Sequence, residues 1–274
     1  MTQERTPYRY AAKLLHQWTT PALESPRPMR SCVENIYDLG TCPTAEGAID
    51  LAHQRGREVE FTATHATGAE MPYRYVGVLG LARFTQARPA NLVWHALRYV
   101  SRPLENRRRH TTPFEKLDAV DWDRRRLTPA QLNHPEDLEV RTFGVEMLFQ
   151  WRTTTPDGRS NTMRPCQTQI VHVDSRTARD AYRQALAHAD AQTYTIDGPN
   201  KDVRFECVGI VDMIEIDPLD DDSDEVWYDV RKRLMPMERK DAILPARDRL
   251  LAARQLDAVP LGIQRAIARA GLRR

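Results

Sequence analysis

Between Tyr8 and Trp18 the apolar positions alternate, with Tyr10, Ala12, Leu14 and His16 on one side and Ala11, Lys13, Leu15 and Gln17 on the other. A period of two predicts a β-strand. The proline-rich stretch Thr20-Pro21 to Pro28 breaks it, and Met29 to Leu39 predicts a second strand through Cys32, Val33, Ile36 and Tyr37. The spacing then changes. Thr44 is placed to cap a helix whose apolar stripe is Ala45, Ala48, Ile49 and Ala52 and which stops at Gly56. Glu58 to Thr62 and Tyr73 to Phe84 predict two more strands around a turn at Thr67-Gly68. Asn91 is placed to cap a closing helix with Leu92, Val93, Ala96, Leu97 and Val100 on one face, ended by Pro103.

The same order follows again. Val140 to Arg152 and Met163 to Val173 predict a hairpin around Pro156-Asp157-Gly158, and Ala178, Ala181, Tyr182 and Ala185 mark a helix over 176–188. Thr193 to Ile196 and Val203 to Ile216 predict strands, and Val226, Trp227, Val230 and Leu234 a second closing helix before Pro236. Gln17-Trp18 falls on Gln150-Trp151, Arg30-Ser31-Cys32 on Arg164-Pro165-Cys166, Thr44-Ala45 on Thr177-Ala178, Val76-Gly77 on Val208-Gly209 and Val93-Trp94 on Val226-Trp227, always 132 to 134 positions apart. A fixed offset of this kind is the mark of an internal repeat. The expectation is an α+β protein built from two tandem β-β-α-β-β units, each an antiparallel sheet packed by a helix. Residues 1–105 form the first repeat, 106–139 a connector, 140–238 the second repeat and 239–274 a basic tail. Thr112-Pro113-x-Glu115 and Thr128-Pro129-x-Gln131 predict short capped helices in the connector, and Leu244 to Leu256 and Pro260 to Leu272 predict two in the tail.

Composition adds little to this picture, but charge does. With 41% hydrophobic and 28% charged residues over 274 positions, the chain has the make-up of an ordinary soluble protein of two domain-sized cores. It has no apolar run long enough for a membrane span and no signal-peptide pattern at its start, so a cytoplasmic location is expected. Residues 140–238 carry a net −6 and 239–274 a net +6, which suits either docking of the tail on the second repeat or outside partners of opposite charge.

No nucleophile elbow, zinc-binding His-Glu-x-x-His, phosphate loop or dinucleotide fingerprint occurs, and the eight histidines do not recur between repeats. No catalytic residue, metal site or cofactor is therefore assigned. Cys32, Cys42, Cys166 and Cys207 lack metal spacing and are expected to be free thiols. The polar residues matched between repeats, Gln17/Gln150, Arg30/Arg164, Arg98/Arg231 and Glu105/Glu238, are expected to pair internally or to bind an anion. Two charge clusters remain. Asp217, Asp220, Asp221, Asp222, Asp224 and Glu225 have no counterpart in the first repeat and form either a solvated loop or a docking patch for a basic protein. Arg107, Arg108 and Arg109 with Arg124, Arg125 and Arg126 form a candidate anion or nucleic-acid contact, although acidic residues interleave and aromatic residues are few.

The succession of strands, the Thr-Ala-x-x-Ala helix, the Val-Gly-Val strand and the Val-Trp segment resembles a small bacterial family known only as a domain of unknown function. The match is clearest over Phe205 to Asp212 followed by Val226-Trp227-Tyr228. The resemblance implies the fold and brings no catalytic residues. The expectation is a non-catalytic protein-binding module, in its narrowest form an immunity or antitoxin-like protein that binds a toxin or other bacterial effector. The alternatives are nucleic-acid binding through the arginine runs and tail, and an enzyme with a site formed between the repeats.

Overall fold

A computed structural model of the chain describes residues 8–19, 29–84, 92–198, 201–216, 225–234 and 236–253. Its elements run β1 (Tyr8–Trp18), β2 (Met29–Cys42), α1 (Ala45–Glu58), β3 (Phe61–Thr64), β4 (Glu70–Phe84), β5 (Leu92–Ser101), α2 (Asp118–Arg126), α3 (Pro129–Asn133), β6 (Arg141–Thr154), β7 (Met163–Ser175), α4 (Ala178–Ala191), β8 (Tyr194–Ile196), β9 (Asp202–Ile216), β10 (Glu225–Leu234), α5 (Lys240–Ile243) and α6 (Arg247–Ala253). The fold is α+β with two antiparallel five-stranded sheets, ordered β10-β2-β1-β4-β3 and β5-β7-β6-β9-β8.

These orders correct two expectations. The segments 92–101 and 226–234 are strands, not closing helices. Their Val, Trp, Tyr and Leu content suits a half-buried pleated surface, and Trp94 and Trp227 are buried there as core anchors. The second correction concerns which sheet they join. β5 pairs with β7, and β10 pairs with β2. The compact units are therefore not the contiguous stretches 1–105 and 140–238. One unit takes the described residues of 1–88 and 222–257, the other those of 89–221. Each sheet is closed by a strand from the other half of the chain.

Local punctuation follows the sequence closely. The hydroxyls of Thr44 and Thr177 accept from Gly47 N and Asp180 N and so cap α1 and α4. Thr128 and Gln131 form a complete capping box on α3. The Thr112-Pro113 signal instead opens a short 3-10 turn, Phe114–Lys116, and Leu117 precedes α2 without a side-chain cap. Of the tail helix expected at 244–256, Arg247–Ala253 is helical as α6 and 244–246 are not, whereas 254–256 and 260–272 lie outside the described residues.

In the first unit α1 packs on one sheet face through Ala45, Ala48, Ile49 and Ala52, which meet Tyr10, Ala12, Leu14, Tyr37, Val78, Leu81 and Leu250. On the opposite face Leu15, Cys32 and Val76 pack with Ile243. In the second unit Leu148, Cys166 and Val208 occupy the corresponding place with Val100 and Val211. Gly77 and Gly209 let the segments that follow β10 and β5 approach these faces closely. A methyl group at Gly77 would meet Leu244, and one at Gly209 would meet Thr111 and Arg107. Leu244 and Thr111 lie 133 positions apart, as do the buried Leu250 and Leu117. The segments read as connector and tail thus hold equivalent places, one in each unit. No helix among the described residues is long and apolar enough to cross a membrane.

Candidate functional site: an aromatic row backed by a buried polar cluster

Beyond the C-terminal end of α1 the helix-bearing face of the first sheet carries three aromatic side chains on adjacent strands. Trp18 on β1 lies opposite Tyr73 on β4, and Tyr73 lies opposite Phe61 on β3. Their ring centroids are 4.9 Å apart for Trp18 and Tyr73, 5.1 Å for Phe61 and Tyr73 and 5.2 Å for Trp18 and Phe61, the separations of favourable aromatic pairs. In the neighbouring line of the same face His16 on β1, Val33 on β2 and Val230 on β10 lie opposite one another. Phe61, at the end of the row, is 49% exposed, and Val230, in the neighbouring line of the same face, is 64% exposed. The second unit repeats the rings with Trp151, Phe205 and Tyr194.

Behind the row the units differ. In the first unit His16, fully buried, stacks on Tyr73 at 4.8 Å with an interplanar angle of 11°. Its Nδ1 is 3.0 Å from Asn35 Oδ1 and its Nε2 3.1 Å from the Gly56 carbonyl. Tyr73 donates to the same Asn35 oxygen at 3.0 Å, while Asn35 Nδ2 and the Tyr37 hydroxyl donate to Glu225 Oε2 at 2.9 and 3.0 Å. The second unit has Phe149, Phe205, Val171 and Leu92 where the first has His16, Tyr73, Tyr37 and Glu225. Phe149 stacks on Phe205 at 5.1 Å and 9°, as His16 does on Tyr73. These four places are apolar in one unit and part of a hydrogen-bonded network in the other; at the fifth, Gln169 stands where the first unit has Asn35 and bonds to Gln192.

Burial dominates the electrostatics of this network. It lowers the pKa of His16, against the hydrogen bonds of Gly56 and Asn35 and the charge of Glu60. It raises that of Glu225, against the bonds from Tyr37 and Asn35. Both ring nitrogens of His16 face oxygen acceptors, which suits an imidazolium, but burial outweighs this. The linkage signs are opposed. The Glu225 contribution to stability is full below its ordinary value of 4.5 and is lost as pH rises through its raised value. The His16 contribution is present above 6.5 and is lost as pH falls. Glu225→Gln keeps an acceptor and removes the titration. In urea melts between about pH 5 and 8, its stability deficit relative to the native chain is expected to shrink as pH rises; a constant or widening deficit would contradict the assignment.

The other candidate residues have structural partners or lie elsewhere. Asp217, Asp220, Asp221, Asp222 and Asp224 are outside the described residues. Glu225, read with them as part of a docking patch, is instead hydrogen-bonded within the first unit. Arg124 donates to the Glu115 carbonyl, Arg125 pairs with Asp121, and Arg126 pairs with Glu215 and lies over the Trp122 ring. Arg107, Arg108 and Arg109 are exposed on a 3-10 turn. Among the matched polar residues, Arg164 is paired by Glu105 and Gln150, and Gln17 accepts from Met237 N. On the face opposite α1, Glu34 is buried among Lys13, Arg231 and Arg233. Burial alone would raise its pKa, but Lys13 and the two arginines hold it below the usual carboxylate range. All four cysteines are free thiols, and burial pushes Cys166 and Cys207 up to about 11. Among the described residues no three potential ligands group to hold a metal ion.

Sequence reasoning missed the cluster, although the signal was present. At the sequence offset of 132 to 134 positions His16 falls on Phe149, Tyr37 on Val171 and Tyr73 on Phe205, three polar-for-apolar differences around one point. Comparison with protein-family models, with curated proteins and with solved structures returned no match.

Proposed function

We propose that the chain is a non-catalytic protein-binding module, with the aromatic row of the first unit as its contact surface. The observation that carries this is the partial exposure of Phe61, at the end of a row whose rings are fixed by packing, together with the exposed Val230 on the same sheet face. Rigid aromatic and aliphatic side chains anchored in a sheet present apolar area to a partner at little cost in side-chain entropy. An immunity or antitoxin-like role against a bacterial effector, in the cytoplasm, is the narrowest form of the proposal, and the acidic run 217–225 is the sequence feature that supports it. The same reading takes the two units as products of an internal duplication, supported by their common strand order.

The test is capture from a nuclease-treated lysate of the source cells by the full chain and by Phe61→Glu and Val230→Glu variants. A single protein retained at high salt by the native chain, and lost with either variant, is the expected result. Recovery of nucleic acid alone, stripped by salt, would sink the proposal and direct attention to Arg107, Arg108 and Arg109. A second reading, an acid-base enzyme, is favoured by one observation: the cluster joins a histidine from the first half of the chain to a carboxylate of raised pKa from the second. It requires that a substrate protect His16 from solvent exchange, which ring-proton NMR would detect.

A further inference from the structure

We infer that the partner of each closing strand is selected by its side-chain chemistry, so that the exchange of β5 and β10 is written into a few positions. The two strands are alike in length and in their Val-Trp step, and each slips register at that step, between Glu225 and Trp227 on β10 and between Leu92 and Trp94 on β5. Backbone geometry does not tell them apart. The side chains do.

Glu225 lies opposite Tyr37, and Leu92, its equivalent 133 positions earlier, lies opposite Val171. At Tyr37 the carboxylate accepts from Tyr37 and Asn35; at Val171 a leucine adjoins the apolar wall that contains the stacked Phe149 and Phe205. Arg233 bonds the buried Glu34. Its equivalent, Val100, packs on Leu148, Cys166 and Val208. The remainder of each exchanged segment is matched in the same way, since Glu105 follows β5 and pairs with the buried Arg164 of β7.

Returning each strand to its own half would reverse all of these. Glu225 would face Val171 in place of Tyr37, with the Gln169 amide that stands in the place of Asn35 already bonded to Gln192, a costly burial of an acid. Leu92 would leave Asn35 Nδ2 and the Tyr37 hydroxyl without their acceptor, Arg233 would displace Val100 from an apolar cluster, and Glu34 would lose a cation. Every mismatch opposes self-closure. The first sheet thus accepts a strand that carries an acid near one end and a guanidinium near the other, and the second sheet accepts the apolar version.

The test uses full-length variants. Leu92→Glu is expected to lower the melting temperature by roughly 10 °C, because the carboxylate faces Val171, and Glu225→Leu is expected to lower it as well. Combining Leu92→Glu, Val100→Arg, Glu225→Leu and Arg233→Val exchanges the chemistry of the strands. A cysteine at Val33 should then be captured by one at position 97 rather than at 230. If that four-residue variant keeps the native cross-link, or if Leu92→Glu alone melts with the native chain, the inference is overturned. Should the four-residue variant fail to fold, the single-variant melts still decide.

Discussion

Replacing Glu105 with alanine is expected to destabilise the chain by about 3 kcal/mol, more than replacing Arg164 with methionine, although Glu105 is the more exposed of the two. Arg164 is 1% exposed, whereas the Glu105 side chain is 50% exposed. The guanidinium donates to Glu105 Oε1 at 2.5 Å and Oε2 at 2.9 Å, to Gln150 Oε1 at 3.0 Å, to Ser160 Oγ at 3.1 Å and, through Nε, to the Asn161 carbonyl at 2.9 Å. That hydrogen-bonded pairing also holds the Glu105 carboxyl below its usual range. Without Glu105 a buried charge keeps only neutral partners. Without Arg164 the carboxylate turns to water, methionine fills much of the space, and the loss is about 2 kcal/mol from the orphaned Gln150 and Asn161 acceptors. Urea denaturation of both variants checks the order, and a larger loss for Arg164→Met would contradict it.

The second large effect is expected at Asn35. Its amide accepts from Tyr73, contacts His16 through the same oxygen and donates to Glu225. Asn35→Leu would strand three buried polar groups at once. Each costs about 1–3 kcal/mol when left unmade, and because they share one network the losses do not add. A total of about 3–5 kcal/mol follows. The equivalent change in the second unit is the control. Gln169 Oε1 and Gln192 Nε2 have no hydrogen-bond partner, and the one bond between these side chains is Gln169 Nε2 to Gln192 Oε1 at 3.1 Å. Gln169→Leu is therefore expected to cost under about 1 kcal/mol. Similar losses in the two units would show that the polar network of the first contributes nothing special.

Much of the architecture was legible as periodicity. Alternation located β1, β2, β4, β6, β7 and β9, and Thr44 and the Thr128-Gln131 pair marked two helix starts at the right residues, whereas α4 begins two residues after the expected Arg176. The closing strands were misread because Leu92, Val93, Ala96, Leu97 and Val100 satisfy a helical stripe and sit in a stretch too short to exclude a strand. Tertiary pairing decided between them. The exchange itself left no local mark, since β5 and β10 are equivalent positions of similar sequence and only the polar residues around their destinations distinguish them. Tyr37 and Asn35 explain Glu225, but the three are brought together only by folding. Leu117 was likewise hidden, in a connector whose charge dominated its reading.

The most direct measurement of the account is oxidative cross-linking of the full chain with cysteines at Val33 and Val230, mapped by mass spectrometry. The exchanged architecture predicts an intramolecular link between these opposed positions of β2 and β10. It also predicts none between cysteines at Val33 and Leu97, the position on β5 that self-closure would bring there. A link to position 97 in place of 230 would contradict the account.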